Sequence, residues 1–294
     1  MTKIRSGDSS MIDDRRGSGG GVFSGGGGGF PIPIKAGGGV LGVIVLLASL
    51  LLPKLLGSSH NATGVPPAAD KSADASDGAC NSDLEQIVCG ATADVQAYWG
   101  ANLPTFYGTT YEPTKTVFFT DGTDTGCGQA SSQTGPFYCP IDHLVYIDLG
   151  FMQALEQQLV GTTSDLAEQY IIAHEYGHHI QNLVGINDQV QQAQQNDPGR
   201  ANQYSVAMEL QADCFAGMWV GDVAARGKLD SAAELKEALD AAAGVGDDRI
   251  QQKTQGRIDK EKWTHGSAEQ RQTWFTRGYN SGDPKQCDTF SEVS

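Results

Sequence analysis

The chain has 294 residues and a formal net charge of −15, which allows one mid-sized domain with appendages. A charge of this sign and size argues against a nucleic-acid partner, because affinity for phosphate backbones comes from clustered lysine and arginine. Hydrophobic residues make up 39% of the chain, which is enough for a globular core.

The first 36 residues are polar and rich in glycine. Such a segment buries too little apolar surface to offset the entropy lost on ordering, so we predict a disordered tail over residues 1–36. Residues 1–56 hold six of the 20 basic residues but three of the 35 acidic ones. A short basic tail before an acidic body is typical of a targeting pattern.

An apolar stretch follows over residues 37–56. It carries no charge through Leu52, and Pro53 and Lys54 then interrupt it. It predicts a membrane anchor with the N-terminus in the cytoplasm and the remainder of the chain outside it. A cleaved signal peptide is the alternative, and the long segment before the stretch argues against it. Residues 57–79 are rich in Ser, Ala, Asp and Pro and are predicted as a linker, so the folded domain is expected over residues 80–294.

Six cysteines all lie beyond the apolar stretch. An even number confined to one side of a membrane indicates disulfides in an oxidising compartment, although free thiols or metal ligands are the alternative. Pairing by proximity in the sequence is the expectation among several connectivities: 80 with 89, 127 with 139, and 214 with 287.

The first half of the folded domain mixes one helix with short strands. Apolar spacing predicts a helix over residues 83–99, and β-like runs occupy residues 116–120 and 144–149. The second half is helical in pattern, with Gly185 and Gly227 as predicted helix ends. Its helices are predicted over residues 164–184, 201–226, 231–243 and 267–279.

The helix over residues 164–184 carries the pattern H-E-x-x-H, formed by His174, Glu175 and His178. Residues four apart face the same way on a helix, so the two imidazoles can bind one ion. Glu175 lies beside the first ligand, where it can take a proton from a metal-activated water as the general base. His179 points about 100° away from His178 and is interpreted as a structural or substrate-side residue.

A second helical segment supplies the third ligand. A catalytic zinc ion needs three protein ligands and an open position, and two histidines with one carboxylate are a known set. Glu209 and Asp213 lie four residues apart in the pattern E-x-x-x-D. We predict that Glu209 completes the site for one Zn²⁺ and that Asp213 accepts a hydrogen bond from a ligating histidine, His174 by preference.

These motifs resemble the bacterial neutral zinc metallopeptidase family. The matching segments are residues 12–17, 127–128, 135–140, 145–149, 174–178, 209–217 and 265–284. The resemblance implies an α+β, zincin-like fold with a small twisted sheet over the H-E-x-x-H helix and a mainly helical C-terminal half. It also implies hydrolysis of peptide bonds in a peptide or protein substrate.

Two further expectations follow from this resemblance. Residues 144–149 are expected to form the edge strand of the sheet, where an extended peptide can add by backbone hydrogen bonds, with an interior strand as the alternative. His265, just before a helix that begins near Ser267, is the candidate oxyanion donor, with Tyr138 and Tyr279 as rivals.

The function predicted from the sequence is therefore that of a membrane-anchored zinc endopeptidase whose catalytic domain is extracytoplasmic. The alternative is a membrane-anchored, zinc-stabilised binding or scaffolding module without turnover. Glu175 argues against that alternative, because a structural zinc site closes with four protein ligands and needs no base.

Overall fold

The computed structural model describes residues 3–17, 78–155, 165–229 and 231–293. The predicted anchor over residues 37–56 and nearly all of the predicted linker lie outside these ranges. Within them, no helix is both long enough and apolar enough to cross a membrane.

The described residues form an α+β fold, as predicted. Its strands are β1 (Ile12–Asp14), β2 (Thr116–Phe119), β3 (Gly122–Thr125), β4 (Gly128–Ser131), β5 (Phe137–Cys139) and β6 (Leu144–Asp148). Its helices are α1 (Asp83–Tyr107), α2 (Leu149–Leu155), α3 (Asp165–Leu183), α4 (Ile186–Asn196), α5 (Ala201–Ala225), α6 (Ala232–Gly244), α7 (Asp247–Gln255) and α8 (Ala268–Ser281).

The main sheet has the strand order β1-β2-β6-β5. The first three strands run parallel, and β5 pairs antiparallel with β6 at the edge. The prediction that residues 144–149 form the edge strand is therefore wrong. Four of the five residues of β6 are buried, which is the pattern of an interior strand covered on both faces. The edge strand β5 has only three residues, too few to show a sequence period.

The prediction of a disordered tail over residues 1–36 is wrong for residues 3–17. Strand β1 pairs in parallel with β2, with Ile12 opposite Thr116 and Asp14 opposite Phe118. Ile4 and Ile12 are buried in the main core, at 5% and 8% exposure. The tail has few apolar residues, and these two pack against the sheet and helices of the domain.

Four of the five predicted helices match their predicted ranges closely. Helices α3, α5, α6 and α8 begin and end within two residues of the predicted ranges wherever the structure describes those ends. Gly185 has a φ of 76°, the left-handed conformation of a helix end. Helix α1 continues eight residues beyond its predicted end, because Pro104 lies on its exposed side while Leu103 is buried. Helices α2, α4 and α7 were not predicted.

The six cysteines form the three disulfides expected from sequence proximity: Cys80–Cys89, Cys127–Cys139 and Cys214–Cys287. The third joins helix α5 to the C-terminal segment. The second connects the end of β5 to the turn before β4, so it restrains the edge strand.

Helices α3, α5 and α8 pack closely enough to bring their backbones together. A Cβ atom on Gly177 of α3 would lie 3.0 Å from the backbone of Ala212 in α5. A Cβ atom on Gly278 of α8 would clash with the carbonyl oxygen of Cys214 in α5. Glycine at these crossings lets side chains of all three helices reach one point.

Candidate metal and catalytic site

The predicted ligands converge at the crossing of α3 and α5. His174, His178 and Glu209 are all buried, and one ligand atom from each lies within 4.8 Å of the other two. The Nε2 atom of His174 lies 3.2 Å from Oε2 of Glu209, and Nε2 of His178 lies 3.5 Å from Oε1. Tetrahedral zinc with bonds of about 2.0–2.1 Å places its donors about 3.4 Å apart. The three side chains therefore fit one zinc ion.

Both imidazoles are oriented by hydrogen bonds on their outer nitrogens. Nδ1 of His174 bonds to Oδ1 of Asp213 at 2.9 Å, as predicted. Nδ1 of His178 bonds to Oε1 of Gln181 at 2.8 Å. When Nδ1 carries the proton, Nε2 presents a lone pair towards the site, so each bond favours the ligating tautomer. Gln181 is itself held by donation to the carbonyl oxygen of Met208 at 2.8 Å.

Arg271 from α8 holds Asp213 in place. Its guanidinium donates to both carboxylate oxygens of Asp213, through Nε at 2.7 Å and Nη2 at 2.9 Å. The hydroxyl of Tyr170, one turn before His174, donates to Oδ1 of the same carboxylate. Burial alone would raise the pKa of Asp213, but Arg271 and His174 outweigh it and lower that pKa. Asp213 therefore stays ionised and continues to accept the hydrogen bond from Nδ1 of His174.

The general-base candidate has the environment that its role requires. Glu175 is 6% exposed, and its Oε2 atom has no hydrogen-bond partner among the described residues. Burial raises the pKa of Glu175, opposed by the charges of the two neighbouring histidines. The backbone N–H of Tyr138 also opposes this rise in pKa. The Oε2 atom of the carboxylate is thus left for a proton.

His265 reaches the same cleft from the loop before α8. Its Nδ1 atom lies 3.2 Å from Oδ1 of Asp247, while its buried Nε2 atom has no partner among the described residues. The other oxygen of Asp247 accepts the backbone N–H groups of Thr264, His265 and Gly266 at 2.7, 2.6 and 3.1 Å. Asp247 therefore fixes both the loop and the ring, and the free nitrogen faces the site.

The other predicted candidates are engaged elsewhere. The Tyr138 hydroxyl bonds to Nδ1 of His179 and to Asn182, each at 3.1 Å. His179 also bonds to the carbonyl oxygen of Glu112 through Nε2 at 2.7 Å, so it joins α3 to the sheet and its role is structural. Neither Tyr138 nor Tyr279 is among the described residues that line the cleft.

The cleft lies beside the three ligands and has room for a few waters, about 80 Å³. Its other walls are the segment Thr134 to Pro136 before β5, Phe151 of α2, Ile171 of α3 and Val245. A larger groove of about 1050 Å³ is lined by other residues of α5 and α8, among them Val206, Leu210 and Gln270. It contains none of the predicted site residues, so we assign the chemistry to the smaller cleft.

His174, His178 and Glu209, with the carboxylate of Glu175 beside them and hydrogen bonds that orient both rings, form a donor set that suits a zinc ion. The chain belongs to the family described as "putative neutral zinc metallopeptidase", whose model matches residues 1–290. This match confirms the resemblance seen in the sequence, and it includes the N-terminal segment.

Proteins from other bacteria are similar to this chain over most of its length. YpfJ of Escherichia coli K12 is 43% identical over 294 residues, which is 97% of each chain. Rv2575 of Mycobacterium tuberculosis H37Rv is 44% identical over 232 residues, which is 71% of this chain and 76% of that protein. Both relatives are described as uncharacterized proteins. No solved structure is significantly similar to the chain.

Replacing Arg271 with methionine is expected to weaken zinc binding by about 10- to 100-fold. The variant leaves Asp213 buried without its cation, so the carboxylate loses its position and no longer orients His174. Titration against a chromogenic chelator measures the change. Arg277→Met, on the exposed side of the same helix, is the control and should leave affinity unchanged. Equal affinity in both variants would show that Arg271 does not act on the site.

The buried imidazole of His179 should make the stability of the folded protein sensitive to acid. Burial lowers its pKa to about 4, whereas an unfolded histidine titrates near 6.5. As pH falls from about 6.5 to 4, the unfolded chain takes up a proton that the folded chain refuses, so the free energy of unfolding decreases. The loss amounts to about 3 kcal/mol from this residue.

Urea unfolding of the parent and of His179→Gln at pH 7 and pH 4.5 tests this expectation. The glutamine keeps an amide donor for the Glu112 carbonyl and does not titrate, so its stability should fall less between the two pH values. If the free energy of unfolding of His179→Gln falls as much as that of the parent between the two pH values, His179 is not the source of the acid sensitivity.

Proposed function

We propose that the chain is a zinc-dependent endopeptidase, attached to a membrane through residues 37–56. The observation that carries the proposal is the unpartnered oxygen of Glu175, buried beside three converging metal ligands. A buried polar atom without a partner costs about 1–3 kcal/mol. Such an unpartnered oxygen is expected where its role is to receive a proton from the water that attacks the substrate.

His174, His178 and Glu209 would hold the ion. A zinc ion bound by them supplies Lewis acidity, which polarises a carbonyl group and makes water acidic. The chain's own residues provide the remaining chemistry. Asp213 and Gln181 keep both imidazoles in the ligating tautomer, and Arg271 keeps Asp213 charged.

Glu175 is assigned as general base and then general acid. Its free oxygen accepts a proton from the attacking water, and the same oxygen returns that proton to the leaving amine as the C–N bond breaks. Burial raises the pKa of Glu175, which brings its basicity closer to the working pH.

His265 is assigned as the donor that stabilises the oxyanion of the tetrahedral intermediate. Its buried Nε2 atom has no partner among the described residues, and Asp247 holds the ring through the opposite nitrogen. The doubly protonated form of the ring would donate from Nε2 while Asp247 accepts from Nδ1. Removal of one oxyanion donor costs about 10²- to 10³-fold in kcat in other hydrolases.

His265→Ala should therefore lower kcat by about 10²-fold or more while zinc content stays at the parental level. Asp247→Asn should lower kcat less, because it loosens the ring without removing the donor. Turnover of a quenched fluorescent peptide, with zinc measured on the same samples, provides the comparison. Parental kcat in His265→Ala would exclude the assignment.

The substrate is assigned as an extended peptide that lies along β5. This strand is the antiparallel edge of the main sheet, and the segment from Thr134 to Pro136 that leads into it forms one wall of the cleft. An edge strand has a neighbour on one side only, so the backbone groups on its other side are available to a peptide. An edge strand beside an H-E-x-x-H helix is also the arrangement expected of a zincin.

The test is cleavage of a denatured protein by the purified full chain, with and without a chelator, followed by sequencing of the new termini. The parent should generate termini that are absent from the chelated sample and from Glu175→Gln. A parent that binds one zinc ion and generates no new termini from any protein would favour the binding or scaffolding alternative.

A further inference from the structure

The N-terminal segment, residues 3–17, is built into the same folded body as the candidate active site. Strand β1 completes one edge of the main sheet by pairing with β2. The side chains of Ile4 and Ile12 belong to the main hydrophobic core. The segment is therefore a structural part of the domain rather than a tail that lies near it.

This segment also contacts the helix that carries the H-E-x-x-H motif. The guanidinium of Arg5 pairs with Asp165, in the first turn of α3, at 2.8 Å. The buried side chain of Gln169 donates to the carbonyl oxygen of Ile4 at 2.7 Å. Gly90 of α1 makes room for the segment, because a Cβ atom there would lie 2.7 Å from Cα of Arg5.

The described chain stops at residue 17 and resumes at residue 78, and these two ends lie on the same side of the domain. Arg16 forms an ion pair with Glu85, in the first turn of α1. Glu85 in turn accepts the backbone N–H of Ser82 at 2.7 Å. The Sγ atom of Cys80 lies 3.4 Å from the carbonyl oxygen of Asp8. The chain thus leaves the domain and returns to it at neighbouring points.

This arrangement conflicts with one crossing of a membrane between the two ends. Paired strands lie about 4.8 Å apart, whereas the hydrocarbon core of a bilayer is about 30 Å thick. Strand β1 cannot pair with β2 if residues 37–56 separate the two across a bilayer. The expected topology, with the N-terminus in the cytoplasm and the folded domain outside, would break every contact described above.

We infer that residues 3–17 lie on the same side of the membrane as the candidate active site, so that the chain between residues 17 and 78 crosses the bilayer an even number of times or not at all. The apolar stretch would then attach the domain to the membrane, and the chain on both sides of the stretch would lead back to the same domain. Since three disulfides lie in the domain, the shared side is the oxidising one, outside the cytoplasm.

Cysteine labelling in intact cells that express the full chain tests the sidedness. Ser10 and Ser281 are both exposed, one in the N-terminal segment and one at the end of α8. An impermeant maleimide should label Ser10→Cys and Ser281→Cys equally before permeabilisation. Labelling of Ser281→Cys in intact cells, with Ser10→Cys labelled only after permeabilisation, would overturn the inference. Labelling of both only after permeabilisation would overturn the assignment to the oxidising side.

A second experiment tests whether the segment is seated on the domain in the purified full chain. Gly90→Ala should displace residues near Arg5 and speed trypsin cleavage after Arg5 by about tenfold, because cleavage follows local opening. Gly100→Ala in the same helix is the matched control, since its Cβ atom would lie 3.8 Å from Tyr111, an ordinary contact. Equal and rapid cleavage after Arg5 in the parent, the control and Gly90→Ala would show that the segment is not seated.

Discussion

Glu175→Gln is expected to bind zinc as tightly as the parent and to lose peptide hydrolysis by about 10³-fold or more. General acid–base catalysis contributes about 10²- to 10⁴-fold, and Glu175 is assigned both proton transfers. The amide has the same shape, so the cleft should keep its form. Only the proton acceptor is removed.

The measurement is kcat on a fluorescent peptide, together with zinc content by mass spectrometry of the same sample. Glu168→Gln serves as the control because it alters another buried glutamate of the same helix, away from the cleft lining. It should retain most activity. Turnover by Glu175→Gln at the parental rate would assign the base elsewhere, and loss of zinc from it would show that Glu175 supports the metal.

Glu209→Gln is expected to lower zinc affinity by more than about 100-fold, beyond the effect of losing an outer-layer contact. The substitution keeps the volume of the side chain and removes the negative charge that neutralises a bound cation. His174 and His178 then remain as two neutral donors, too few for a stable catalytic site. Activity should disappear with the metal.

Competition with a chelator gives the affinity, and addition of excess zinc separates a binding defect from a catalytic one. Glu269→Gln, on the exposed side of α8, is the control and should bind zinc normally. Partial recovery of turnover at high zinc is the expected behaviour of the Glu209 variant. Parental affinity in that variant would remove Glu209 from the ligand set.

The metal site was predictable because its residues follow helical spacing. His174 and His178 lie four apart on one helix, and Glu209 and Asp213 lie four apart on another, so each pair must share a face whatever the tertiary fold. The structure brings the two faces together, and Asp213 bonds to His174 as expected. Gln181 lies three residues beyond His178 on the same helix. Residues three apart are also neighbours on a helix surface, so the sequence contained a signal for Gln181 as well.

Arg271 and Asp247 could not be found this way. Each is a single charged residue with no periodic partner in the sequence, and each reaches the site only through the packing of a later segment. Arg271 depends on the close approach of α8 to α5, which the glycine at residue 278 permits. His265 was proposed from the family-matching segment, and its orientation by Asp247 emerges only from the fold.

The strand order and the N-terminal segment were missed for a related reason. Short strands carry too few residues for a period, so the sequence showed β6 but gave no signal for β5. The N-terminal residues are polar and next to glycine-rich sequence, and local composition therefore predicted disorder. Their order comes from distant residues, namely the receiving edge of β2 and the ionic partners on α1 and α3.

The most direct test of the metal site is anomalous diffraction at the zinc edge from crystals of the full chain grown with zinc. We expect one strong anomalous peak within bonding distance of Nε2 of His174, Nε2 of His178 and a carboxylate oxygen of Glu209. A zinc ion bound elsewhere with this site empty, or a Glu209 side chain turned away from the ion, would contradict this expectation.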